Sequence, residues 1–160
     1  MGARPDYCEE FSDVFALVKK TAEISLGRRR SGLMLYLARL PQNIGAFHTT
    51  GTNGIVMNRN ALDIVTRGAG SLREINAYVY STLLHEYLHA LGYVEEREVR
   101  RLVYHISLDS FGLDHPATKL ASKGPDSLLQ DPMPTKMPPG LRVDVEVIPD
   151  LEKSSRNYIS

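Results

Sequence analysis

Two histidines four residues apart, in His85-Glu86-Tyr87-Leu88-His89, constrain this chain more than any other feature. On a helix they lie about one turn apart on one face, so both imidazoles reach a single metal ion. The glutamate between them sits beside that metal. H-E-x-x-H therefore brings a zinc ion and a general base together, provided the segment is helical and a third protein ligand arrives.

The surrounding residues predict the helix. Ser71 followed three positions later by Glu74 is a capping box, in which two side chains satisfy orphan backbone donors at the helix start. Ile75, Tyr78, Val79, Thr82, Leu83, Glu86, His89 and Ala90 then recur at spacings of three and four, so the metal-binding face continues an inward stripe. Gly92 ends it and turns the chain back.

Beyond that corner, Val99, Leu102, Val103 and Ile106 form one apolar face, which predicts a second helix packed on the first. Its opening turn carries Glu95, Glu96 and Glu98. The helix dipole favours acidic residues there in any case, so geometry has to choose among them. Glu95 and Glu96 flank the apolar face, Glu98 lies to its side, and Glu95 is taken up in starting the helix. Glu96 is the expected third ligand, ahead of Glu95 and then Glu98.

Upstream, residues 7–26 read as an amphipathic helix with Phe11, Val14, Phe15, Leu17, Val18 and Ala22 on one side, stopped at Gly27. Arg28, Arg29 and Arg30 follow; the expectation is a solvated basic run that complements the dipole of that helix. The apolar run 33–40, bounded by Gly32 and Pro41, predicts a buried strand. Runs 44–49 and 54–58, joined through Gly51 and Asn53, predict a hairpin with an edge open to an extended peptide. Asn58 or Asn60 caps a short helix through Val65.

After Lys123 the character changes. Pro125, Pro132, Pro134, Pro138, Pro139 and Pro149 exclude a long helix or central strand, so residues 122–160 are expected to form an extended arm outside a domain of residues 1–121. Alternation through Val143, Val145 and Val147 predicts one edge strand within it. The arm is a candidate to cover or inhibit the cleft, and a candidate contact for a homodimer. His115, before Pro116, reads as a turn residue in a loop.

Nineteen basic residues balance nineteen acidic ones among 160, so no global field selects nucleic acid or a charged membrane. No apolar run is long enough to span a bilayer, no signal peptide is apparent, and the lone Cys8 suits a reducing compartment. The expectation is a cytoplasmic protein with one α+β domain: an N-terminal helix, a small mixed sheet with an edge hairpin, and the two helices of the motif.

His85-Glu86-x-x-His89, then Gly92, then Glu96-x-x-Val99-x-x-Leu102-Val103 resembles the gluzincin metallopeptidases, whose third ligand is a glutamate on a following helix. The short corner looks most like the small archaeal minigluzincins. The resemblance covers roughly residues 33–109 and implies a zincin-like fold, zinc on His85, His89 and Glu96, and Glu86 as base. It also makes latency through the C-terminal arm worth testing, since minigluzincins are described as latent zymogens. Arg100 stands where the larger gluzincins carry an acidic residue, and Gly92 with Glu95 stand where the metzincins have their glycine and third ligand.

The chemistry this implies is peptide hydrolysis by a metal-activated water, with a peptide or protein substrate and Tyr93, Tyr104, His105 or His48 as oxyanion donor. The alternative is a catalytically silent, zinc-stabilised binding or regulatory domain. Retention of Glu86 weighs against it, because a structural site has no use for a base and prefers four protein ligands.

Overall fold

The computed structural model describes residues 4–41, 44–49, 51–124 and 145–148. Among these, the protein is α+β, with five helices and a mixed sheet of four strands. A 3₁₀ turn, Pro5–Tyr7, precedes α1 (Phe11–Leu26). The helix starts later than residue 7 because Glu10 and Asp13 form its capping box, Asp13 accepting from the Glu10 amide at 3.1 Å.

Strands β1 (Met34–Ala38), β2 (Ala46–His48) and β3 (Gly54–Asn58) arise where the apolar runs predict them. β2 and β3 form the expected antiparallel hairpin, and β3 lies parallel to β1. β4 (Val145–Ile148) joins the other side of β1 antiparallel, giving the order β2-β3-β1-β4. Leu35, Leu37, Ile55, Met57 and Ile148 face the main core. The opposite face carries a smaller cluster of Ala38, Leu40 and Ile44 with Phe47 and Val56. The remainder of the predicted arm, residues 125–144 and 149–160, lies outside the described residues.

Asn58 ties the sheet to the next helix. Fully buried, it accepts from the amides of Leu40 and Asn60 and donates to the carbonyls of Leu40, Pro41 and Ile44. One side chain thus caps α2 (Arg59–Gly68) and pins the strand-to-strand connection ahead of β2.

Helix α3 (Leu72–Ala90) is capped by Ser71, as expected, and runs through the middle of the molecule. It is buried on nearly every side rather than along one stripe: Tyr78, Tyr80, Leu83, Leu84 and Tyr87 are all inaccessible. Helix α1, the sheet, α4 (Glu96–Phe111) and α5 (Pro116–Lys123) surround it. The strand β2, at the edge of the sheet among the described residues, also packs on α3, the helix that carries the motif.

Helix α5 was not expected from the sequence. His115 is its N-cap, taking the Ala117 amide on Nδ1 at 3.0 Å, and Pro116 occupies the first turn, where its missing N–H costs nothing. With Nδ1 an acceptor, Nε2–H donates to Asp6 at 2.7 Å. No helix among the described residues is long and apolar enough to cross a membrane.

Candidate metal centre

The site forms where α3 ends and α4 begins. The Leu91 amide donates to Tyr87, that of Gly92 to His89 and that of Tyr93 to Leu88, which closes the last turn. Gly92 takes φ 111°, a conformation that L side chains rarely adopt. Residue 95 becomes the N-cap of α4, and Glu96, the first helical residue, points back at both histidines.

Glu96 Oε2 lies 2.9 Å from His85 Nε2, and Oε1 lies 2.6 Å from His89 Nε2. One ligand atom from each of the three residues falls within 4.8 Å of the others, and this is the one such group of His, Cys, Asp or Glu among the described residues. Of the three carboxylates in that turn, geometry brings Glu96 to the histidines; Glu95 and Glu98 are not in the group.

The hydrogen-bond pattern leaves His89 Nε2 facing a carboxylate oxygen. His89 Nδ1 lies 2.7 Å from the Tyr93 carbonyl, which can only accept, so the proton is on Nδ1. Nε2 then faces a carboxylate oxygen at 2.6 Å with a lone pair. Two lone pairs at that distance need a shared proton, on the imidazole or on the carboxyl, or a cation that both groups bind. Two imidazole nitrogens and a carboxylate oxygen are a donor set that suits zinc, and the residues fit such an ion. Nickel, cobalt and manganese accept the same donors.

The electrostatics separate the two glutamates. The hydrogen bond from His85, with the nearby charge of both histidines, outweighs partial burial and holds the Glu96 carboxyl at about 2. Glu86 is 8% exposed. Burial, then the negative charge of Glu96, pushes its carboxyl up to about 8. No hydrogen bond serves that carboxyl among the described residues. The histidine side chains are each 15% exposed and that of Glu96 is 36% exposed, so the cluster opens to solvent on one side.

The chain matches no family model, no curated protein and no solved structure. What links it to the gluzincins is the motif and its spacing alone.

The other candidates have contacts of their own. His48 on β2 uses Nδ1 to contact the Gly54 carbonyl at 2.8 Å, within the hairpin. Tyr104 and His105 on α4 stack edge to face on each other. Tyr93 contributes its carbonyl to His89, while its ring lies under the Arg28 guanidinium. Cys8 is buried and outside the group, and burial, aided by Asp13 and Asp6, pushes its thiol up to about 11. The sequence reading missed Arg28 and Arg30, whose side chains reach the end of α3; a run of three arginines was the signal available.

Proposed function

We propose that this protein is a zinc-dependent peptidase of zincin-like fold, with His85, His89 and Glu96 holding the metal and Glu86 as general base. The observation that carries the reading is the pairing of a three-residue ligand set, open on one side, with a buried carboxyl that no other group uses among the described residues. A structural zinc site has a fourth protein ligand instead, and no base.

Bound there, zinc would polarise a carbonyl and lower the pKa of a water towards neutrality. Glu86 takes the proton from the attacking water and delivers it to the leaving nitrogen, work that suits a carboxyl raised by burial towards neutral pH. His89 is held in the tautomer that offers Nε2 by the Tyr93 carbonyl. The edge strand β2, beside α3, offers backbone groups on which an extended polypeptide can pair. Substrate is thus gripped by its main chain. The free, buried Cys8 is in keeping with a cytoplasmic location.

Metal analysis of wild type, Glu96→Ala and Glu86→Gln, with a fluorogenic peptide mixture as substrate, tests this. The expected result is about one zinc per chain in wild type and Glu86→Gln, little in Glu96→Ala, and turnover in wild type alone. Zinc without turnover in every variant, including one trimmed of its C-terminal arm, would replace the peptidase with a zinc-stabilised binding domain.

A further inference from the structure

The three arginines after Gly27 have separate partners. Arg29 meets Glu23 of α1 at 3.8 Å on the surface. Arg28 and Arg30 turn away from α1 to the C-terminus of α3. Arg30 donates from Nη1 to the Ala90 carbonyl at 2.8 Å, and from Nη2 to the Thr52 carbonyl at 3.0 Å and Asn53 Oδ1 at 2.6 Å. Its amide also donates to the Tyr87 hydroxyl at 2.8 Å. Arg28 lies over the Tyr93 ring, 5.2 Å from its centre.

We propose that Arg30 is a positioning residue for the metal centre, locking the last turn of α3, and with it His89, against the β2–β3 turn. Ala90 directly follows His89, and its carbonyl is one of the acceptors that a helix end leaves without an intrahelical partner. A cation is favoured there by the dipole, but charge alone does not explain three acceptors on two chain segments. The planar guanidinium fork can serve them together, whereas a lysine ammonium is a single point on a flexible stem. On the other side of the same corner, the Tyr93 carbonyl fixes His89 Nδ1. Arg30 thereby sets His89 relative to Glu96, and the edge strand relative to the ligand helix. Groups that orient metal ligands typically alter affinity by about 10–100-fold when removed.

This inference rests on the zinc reading for one readout and is independent of it for the other. In the full chain, wild type, Arg30→Gln, Arg30→Lys and Arg29→Gln are compared by zinc competition against a chromophoric chelator. The same proteins, metal-free, are examined by ¹⁵N-detected histidine NMR for the protected His89 Nδ1 proton. Expected are a fall in zinc affinity of about tenfold in Arg30→Gln, incomplete rescue by lysine and no change in Arg29→Gln. The His89 proton should lose its protection in Arg30→Gln. A folded Arg30→Gln with that proton unchanged overturns the inference, whatever its zinc affinity. Wild type that binds no zinc overturns the peptidase reading instead, and the His89 proton still decides the role of Arg30. Should Arg30→Gln fail to fold, Asn53→Ala removes one guanidinium acceptor and is read by the same proton: lost protection supports the role of Arg30, and unchanged protection overturns it.

Discussion

Glu86→Gln is expected to stabilise the metal-free protein while abolishing turnover. Burial, with Glu96 nearby, raises the Glu86 carboxyl from its ordinary 4.5 to about 8. The folded state therefore holds a proton that the unfolded chain releases between those values. Stability falls as pH rises from 4.5 to 8 and levels off above. Linkage at 1.36 kcal/mol for each pH unit across the window puts the cost at neutral pH at about 3 kcal/mol. Glutamine copies the protonated carboxyl in shape and removes the titration. For a chain of this size the gain corresponds to a melting temperature about 6–12 °C higher at pH 7.

Denaturation in chelator at pH 5, 6, 7 and 8 measures this directly. Wild type and variant should nearly coincide at pH 5 and diverge steadily by pH 8. The effect on Glu96 lies elsewhere: its carboxyl is held at about 2, so its contribution is lost only as pH falls towards that value. Zinc should flatten the wild-type slope, because a cation beside Glu86 favours its charged form. Parallel curves for wild type and variant from pH 5 to 8 would refute the reasoning.

Asn58→Ala removes the bonds to five backbone groups and should cost about 3 kcal/mol, read as a lower urea midpoint. His115 is held below its ordinary 6.5 by burial, which outweighs the pull of Asp6, so stability is lost as pH falls through 6.5 towards the native value. His115→Asn keeps a capping side chain and should remove that acid slope below pH 6.5, as seen in melting curves. Deleting residues 126–160 takes away β4 and its buried Ile148, 2% exposed, and should cost about 2–5 kcal/mol. A rise in peptidase activity in the folded remainder is the result that latency requires; unchanged activity would dismiss it.

The motif helix and the His-His-Glu cluster were legible because everything that defines them is local. Capping at Ser71, the four-residue step between histidines and the face of α4 on which Glu96 sits are all periodic signals within one or two turns. Helix α5 was hidden because its cap is a histidine and its first residue a proline, a pair that also suits a loop. The one-sided stripe expected of α3 was incomplete because a central helix is covered from several directions, which no single period encodes. Arg30 reads as solvated in the sequence because its partners are some twenty and sixty positions away, beyond the reach of any window.

The sheet order also bears on synthesis. β1 is the first strand made, and its neighbour β4 is the last segment described. Every ligand of the candidate centre has left the ribosome well before residues 145–148 appear, since chains emerge N-terminus first. Through that interval one side of β1 presents unpaired backbone donors and acceptors, the kind of template on which strands from neighbouring chains pair. A chain released before Val145 keeps the whole ligand set but leaves that border unsealed. Its hazard is aggregation rather than loss of the metal site.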